Sequence, residues 1–235
     1  MRQVATALGV AGVCMLVAGC GGDDRSNAEK NSAISTTATP TAKPLDKFAL
    51  PNLLLNPEQV NVAMAAADMA VTTTQFEMSD DSATMEPREC LAIDGAAQAQ
   101  VYAGSGVTAA RDQTLKQGDD FTDYALQAAV LFPSAKKAKA FYEASAQQWP
   151  ACQHYTHIQS GSAWDVAPIS NTDGMLSTIA TQQNAQEGGW ACGRALTVRN
   201  NVVVDVNTCS ANPADSAVKI AGQIAANVDA PQPNP

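Results

Sequence analysis

The sequence contains few of the residues that nucleic-acid-binding proteins and most metal enzymes depend on. Its 235 residues include two histidines, and 14 lysines and arginines stand against 23 aspartates and glutamates, for a net charge of −9. Loss of Arg2 with a signal peptide would leave the mature chain one charge more negative. An acidic chain without a basic stripe argues against a nucleic-acid partner and against electrostatic adhesion to anionic lipid.

Several catalytic motifs are also missing. No glycine-rich loop has a spacing that cradles a phosphate, and Gly104-Ser105-Gly106 is not the GxSxG elbow of a serine hydrolase. The six cysteines form no CxxC pair, and His154 and His157 would point to opposite faces of a strand. We therefore expect no metal site and no cofactor.

The sequence also lacks an apolar run long enough for a comfortable membrane span. Residues 4–18 are almost wholly apolar, but a spanning helix needs about 20 residues. The run follows Arg2 and ends in Val17-Ala18-Gly19-Cys20, which resembles a bacterial lipobox. We expect residues 1–19 to be a lipoprotein signal peptide and Cys20 to carry the lipid, which predicts a lipid-anchored protein on the extracytoplasmic face of the cell membrane.

Composition divides the rest of the chain into three parts. Residues 20–44 contain one large aliphatic side chain, Ile34, and are otherwise mostly small and polar, which predicts a disordered tether behind the lipidated cysteine. Residues 45–228 are long enough for one domain. Residues 229–235 include three prolines and predict a flexible tail.

The pattern of residues 45–228 predicts an α+β domain with a mostly antiparallel sheet, about three packed helices and a cleft. Helices are predicted to begin at Asn56-Pro57, at Ser134 and at Asn212-Pro213. Each of these sites starts with a residue that commonly caps a helix, and in two of them a proline follows at the first helical position. Apolar residues at helical spacing follow all three. No regular βαβ alternation is present. Strands are predicted at residues 72–78, 97–103, 124–132, 163–169 and 175–182 and in the two arms of a hairpin.

The hairpin is the stretch CGRALTVRNNVVVDVNTC, which has a cysteine at each end. Asn200 and Asn201 suit a two-residue turn, because asparagine tolerates positive φ angles. That turn pairs Arg199 with Val202, and counting outward from it brings Cys192 opposite Cys209 on a non-hydrogen-bonded pair. Side chains approach closely there, so the spacing predicts a disulfide and an oxidising compartment.

The remaining cysteines leave one further pair. Cys14 leaves with the signal peptide and Cys20 carries lipid, so Cys90 and Cys152 are predicted to form the second disulfide. This bridge closes a longer loop than the hairpin bridge, and in the chain-entropy model it stabilises the fold by about 4 kcal/mol.

One face of the hairpin mixes polar and apolar residues. Arg194, Asp205 and Asn207 share it with leucine and valine, whereas the other face is mainly valine and alanine and predicts the core side. Arg194 and Asp205 could form a diagonal ion pair at the surface, which the pattern slightly favours, or be polar groups in a cleft. In the second case Arg194, Asp205 and Asn207 are candidate ligand-binding residues.

Three segments carry a resemblance to a known family: WPAC at 149–152, GWACGRAL at 189–196, and RNNVVVD at 199–205 running on to Cys209. They resemble the PknH-like extracellular sensor domain, which occurs in mycobacterial serine/threonine kinases and alone in mycobacterial lipoproteins. The resemblance covers most of residues 50–228. It implies a single α+β domain with a cleft, two disulfides paired in sequence order, and a sensing or ligand-binding role outside the cell without established catalysis.

The leading interpretation is a non-catalytic module that binds an unknown small envelope ligand in a cleft. Because no kinase domain is evident, we expect any signal to pass through a separate protein. One alternative is an envelope hydrolase acting on a glycan or lipid, which would need paired carboxylates in one cavity. Asp80-Asp81 and Asp119-Asp120 are such pairs, although solvated loop charges explain them equally well. The other alternative is an accessory protein that docks onto a membrane protein partner.

Overall fold

A computed structural model describes residues 43–231, and this part of the chain is an α+β domain, as predicted. Its α-helices are α1 (Pro57–Met64), α2 (Leu91–Asp94), α3 (Ala99–Tyr102), α4 (Ala135–Gln148) and α5 (Ser216–Asp229). Its strands are β1 (Ala70–Gln75), β2 (Met85–Glu86), β3 (Ala109–Lys116), β4 (Tyr124–Leu131), β5 (His154–His157), β6 (Ala163–Val166), β7 (Ser170–Thr172), β8 (Met175–Gln182), β9 (Ala191–Arg199) and β10 (Val202–Ser210).

The strands form one antiparallel sheet in the order β1-β3-β4-β10-β9-β8-β6-β5-β2, with β7 paired to β8. The β9–β10 hairpin lies near the middle of this sheet, flanked by β4 and β8. A central strand is covered on both faces, which explains why both hairpin arms are almost entirely buried.

Local signals position the helices. Asn56 caps α1 by accepting from the backbone N–H of Gln59, whose side chain accepts in turn from the Asn56 backbone, and Ser134 caps α4. The apolar residues predicted to form the buried face of α5, including Ile220 and Ile224, are buried as expected. The helix begins at Ser216, however, rather than at residue 213.

Each face of the sheet carries its own core. On one face, α5 packs against β9 and β10, and α1 packs against α5; Val202, Val204 and Val206 of β10 belong to this core. On the other face, α4, the 3-10 turn after it and the segment with α2 and α3 cover Leu196, Val203 and both disulfides. The hairpin therefore divides two layers, and its mixed face belongs to the second one.

Two elements differ from the predictions. Residues 97–103 are not a strand but contain α3, because Ala97 takes a left-handed φ of 51° and the chain then turns. Strand β3 was not predicted, since Arg111, Asp112 and Gln113 interrupt its apolar alternation. Within residues 43–231, no helix is long and apolar enough to cross a bilayer.

Candidate functional site

The hairpin has the predicted register. Arg199 pairs with Val202 and Cys192 pairs with Cys209, whose Cα atoms lie 4.1 Å apart and whose sulfurs are bonded. In the turn, Asn200 alone takes a left-handed φ, of 47°. The disulfide therefore closes the open end of a hairpin that fixes where each of its side chains points.

The second disulfide positions the layer above the hairpin. Cys90 precedes α2 and is bonded to Cys152, which follows the 3-10 turn after α4. Both cysteines are buried in the same core as Trp149. The predicted pairing is confirmed, and the bridge ties α2 to the end of α4 over the mixed face.

Arg194 lies under α2 with 1% of its side chain exposed. Its Nε and Nη2 donate to the carbonyl oxygen of Ala92 at 3.2 and 2.8 Å, and Nη1 donates to the carbonyl oxygen of Val206. Nη1 also lies 2.8 Å from Oδ1 of Asp205. Oδ1 accepts no hydrogen bond in the described part of the chain, so this short contact is an ion pair without hydrogen-bond alignment.

The other carboxylate oxygen of Asp205, Oδ2, is hydrogen-bonded to the segment that follows α2. Oδ2 accepts from the backbone N–H of Ala97 and from the hydroxyl of Tyr102, each at 2.9 Å. Burial, and then the negative charge of Asp205, raise the pKa of Tyr102 well above its usual value, so the phenol keeps its proton. Because the Tyr102 ring stacks on Phe141 at 4.2 Å, Asp205 links the hairpin to both α3 and α4.

Asn207 reaches the end of α2. Its Nδ2 donates to the carbonyl oxygen of Asp94 at 3.4 Å, and Oδ1 of Asp94 lies 2.8 Å from Nε2 of His157 on β5. That hydrogen bond raises the pKa of His157. Burial and then Asp94 raise the pKa of Tyr155, to which Asp94 is also hydrogen-bonded. Asp94 therefore joins α2 to β5.

These contacts change the interpretation of the mixed face. Arg194 and Asp205 form the diagonal ion pair, but the pair is buried rather than at the surface. The open cleft expected beside the hairpin is filled by α2, α3 and α4, and Asn207 is 4% exposed. A ligand would touch Arg194, Asp205 or Asn207 only if this layer moved, and their ligand-binding role stays a prediction.

A pocket of about 330 Å³ lies on the layer that covers the hairpin. Its walls come from the loop and the 3-10 turn (Arg88–Cys90) before α2, from α2 and α3 and from the end of α4. The lining residues are Ser82, Arg88, Glu89, Leu91, Ala92, Gln100, Val101 and Gln148. Its volume is at the lower end of the range for small-molecule sites. One arginine, one glutamate, two amides and three apolar side chains offer both hydrogen bonding and apolar contact.

Ala92 connects the pocket to the buried ion pair. Ala92 lines the pocket, and its carbonyl oxygen accepts two hydrogen bonds from Arg194. Arg194 and Asp205 therefore lie behind the pocket wall and fix its position. Sequence reasoning missed the pocket residues Arg88 and Glu89, although their position directly before the predicted disulfide cysteine Cys90 was a usable signal.

With this fold and site, the chain belongs to the family of the PknH-like extracellular domain, whose sequence model matches residues 45–227. The chain is therefore an extracytoplasmic, sensor-type module, as the resemblance implied.

Two kinds of relative support this assignment. The serine/threonine-protein kinases PknH of Mycobacterium tuberculosis H37Rv and Mycobacterium bovis are each 34% identical over 192 residues, which is 80% of this chain. The chain spans about a third of the length of these kinases, 30% and 32% respectively. The crystal structure of the extracellular domain of PknH from M. tuberculosis matches with a TM-score of 0.75 and 34% identity, over 80% of this chain and 98% of that one.

Proposed function

We propose that the chain is a lipid-anchored module that binds a small envelope molecule in the pocket beside α2 without transforming it. The observation that carries this proposal is that the pocket wall at α2 is held in place by two separate contacts. Arg194 on the hairpin donates a hydrogen bond to the carbonyl oxygen of Ala92 in α2, and the Cys90–Cys152 disulfide anchors the residue directly before α2. A wall held at two points is pre-organised, which reduces the ordering cost of binding.

The pocket chemistry suits a ligand with a polar group and an apolar face. Arg88 and Glu89 place opposite charges on neighbouring residues, and Leu91 and Val101 provide apolar contact. Gln100 adds an amide at the same rim. A small glycan or a lipid headgroup with a short apolar portion has this combination of groups.

Hydrolysis receives less support from the same pocket. A glycosidase needs two carboxylates on either side of the scissile bond. Glu89 is the single carboxylate among the residues that line the pocket, and Asp80-Asp81 and Asp119-Asp120 are not among them. The anchor comes from Cys20 in the lipobox, which lies outside the described residues. In this proposal a membrane protein partner would receive any signal.

A pair of identical substitutions tests the pocket. Val101→Arg places a long charged side chain in the pocket, whereas Val62→Arg makes the same change at a position that is 80% exposed and outside the pocket. Thermal-shift measurements with fractions of envelope lipids and glycans should show a stabilising fraction for wild type and Val62→Arg but not for Val101→Arg. Equal responses of all three proteins would place the ligand elsewhere, and catalytic consumption of the active compound would favour the hydrolase.

A further inference from the structure

Four exposed lysines lie at the end of the domain that contains the hairpin turn Asn200-Asn201, which we call the turn end. Nδ2 of Asn200 donates to the carbonyl oxygen of Lys43 at 2.7 Å. The Asn201 side chain accepts from the backbone N–H of Leu45 and donates to its carbonyl oxygen. Lys47 follows two residues later. The predicted tether therefore ends at the turn end.

Helix α4 begins at the same end. The backbone N–H of Phe132 donates to the carbonyl oxygen of Asn201 at 2.8 Å, and Ser134 then caps the helix. The second and third positions of α4 are Lys136 and Lys137, both exposed, and its first turn has no acidic residue. Cations are disfavoured there because the helix dipole is positive at its N-terminus. The two lysines therefore oppose local helix stability, which points to a role outside the helix.

The turn end carries a net positive charge on a domain that is acidic as a whole. Within residues 43–231, its four lysines form no ion pair: Lys43, Lys47, Lys136 and Lys137. Two carboxylates offset them in part, Asp46 beside Phe48 and Asp173 in the β7–β8 turn. Two further cations are neutralised in the pairs Arg199–Asp229 and Lys139–Glu143.

The opposite end of the sheet is acidic. Strand β4 runs from Tyr124 at that end to Leu131 beside the hairpin turn, about 23 Å away. The β3–β4 turn before Tyr124 contains Asp119, Asp120 and Asp123. An anionic membrane surface acts on charges within about a Debye length, about 8 Å at physiological salt. Such a surface would attract the turn end without meeting the acidic turn, although the composition of the whole chain argues against adhesion.

Exposed aromatic rings accompany the cations at the turn end. Phe48 is 75% exposed, and Nζ of Lys47 lies 5.4 Å from its ring centre. At the outer edge of the same end, Arg111 lies over the ring of Phe76, which is 68% exposed and is followed by Glu77. Large apolar side chains beside lysines are typical of surfaces that insert shallowly into a bilayer interface.

We propose that the turn end docks onto the anionic phospholipid surface of the membrane, with its lysines at the headgroups and the Phe48 ring in the interface. This inference rests on the proposed lipid anchor, because tethering raises the local concentration and a weak contact then suffices. A disordered linker as long as the predicted tether has a root-mean-square reach of about 25–30 Å, which lets the turn end approach the bilayer.

Docking of this kind would orient the pocket. Gln148, which lines the pocket, is the last residue of α4, whose first residues lie at the turn end. Because α4 is about 21 Å long, the pocket would be held at that distance from the lipid headgroups.

The test follows the fluorescence of Phe48→Trp in the full-length protein, reconstituted into vesicles of brominated phosphatidylcholine with or without phosphatidylglycerol. Bromine on the acyl chains quenches a tryptophan that enters the interface. The emission should be quenched in vesicles that contain phosphatidylglycerol, and high salt should reverse most of the quenching. Wild type gives the background, because Trp149 and Trp164 are buried and Trp190 lies beside Phe121 in the acidic turn.

Two double variants with the same change in charge test the lysines in the Phe48→Trp protein. Lys136→Gln with Lys137→Gln should lower the equilibrium constant of docking about 30-fold, about fivefold for each lysine. Lys116→Gln with Lys219→Gln removes two lysines near the open end of the hairpin, each paired with an aspartate, and should leave that constant unchanged.

Flotation of the vesicles separates docking from anchoring. Quenching that is the same without phosphatidylglycerol, or equal losses in the two double variants, would overturn the proposal. Protein that floats with every vesicle but shows no quenching would overturn docking and leave the anchor in place. Protein that floats only with phosphatidylglycerol would support docking and contradict the anchor, and protein that floats with neither vesicle would overturn both.

Discussion

Arg194 and Asp205 form an ion pair whose Nη1–Oδ1 distance is 2.8 Å and whose side chains are 1% and 2% exposed. The pair does not stand alone, since Arg194 also binds the carbonyl oxygen of Ala92 and Asp205 binds Ala97 and Tyr102. These contacts fasten the segment with α2 and α3 onto the central hairpin. The pair therefore fixes the wall of the pocket as well as the fold.

Removing one partner of this pair should be costly. Arg194→Met leaves the buried carboxylate of Asp205 without its counter-charge, and we expect the free energy of unfolding to fall by about 3–5 kcal/mol. Urea denaturation measures the change. Arg199→Met is the matched control, because its pair with Asp229 is partly exposed with a 3.6 Å contact, and it should cost at most about 1 kcal/mol.

The double variant Arg194→Met with Asp205→Leu separates the cost of an orphaned charge from the loss of the pair itself. Apolar replacement of both groups should recover much of the loss. Equal stability of Arg194→Met and Arg199→Met would contradict the account of a buried, coupled pair.

The hairpin could be predicted because its information is local. Two asparagines mark the turn, and the pairing that they set brings Cys192 and Cys209 face to face at the observed register. The alternation of side chains then assigns each residue to a face. The caps at Asn56 and Ser134 are local signals too, and both were correctly predicted.

The layer above the hairpin could not be predicted in the same way. Helices α2 and α3 have four residues each, too few for a 3.6-residue period to emerge, and the Val101-Tyr102 pair resembles strand composition. The contacts of Arg194 with Ala92 join residues 102 positions apart. From sequence alone, a polar face on a central strand is easily interpreted as the lining of a cleft, because the sequence does not show which segment covers it.

The pair formed by His157 and Asp94 should make stability depend on pH. The hydrogen bond with Asp94 raises the pKa of His157 in the folded protein. A raised histidine pKa stabilises the fold fully below the unfolded value, about 6.5, and this contribution is lost as pH rises through the folded value. Wild type should therefore exceed His157→Gln in stability at pH 5.5 by more than at pH 9.

His154→Gln is the control for that measurement. Its ring is 72% exposed and pairs with a half-exposed Asp165, so its removal leaves the His157 contribution in place. A pH-independent difference between wild type and His157→Gln would contradict the assignment.

Asp112 should have a pH effect that Asp112→Asn removes. Burial raises its pKa to about 6 from 3.8, so the ionised form carries a penalty that is complete above pH 6 and disappears as pH falls below 3.8. Asp112→Asn should therefore be the more stable protein at pH 7.5, and its advantage should vanish near pH 3.5. An advantage that persists at low pH would have another cause.

The anchor is tested at Cys20. Cys20→Ala removes the thiol that carries the lipid, so the protein should no longer partition into the detergent phase as a processed form. Ser35→Ala provides a control in the predicted tether. A processed Cys20→Ala protein that still partitions into detergent would rule out the lipobox.

Native mass spectrometry of detergent-extracted protein tests the central claim, binding in the pocket beside α2, most directly. Wild type and Val62→Arg should each retain a small bound molecule whose mass is unchanged after prolonged incubation, and Val101→Arg should lack it. A bound mass that is equally present in Val101→Arg, or that converts to a product during incubation, would contradict the account.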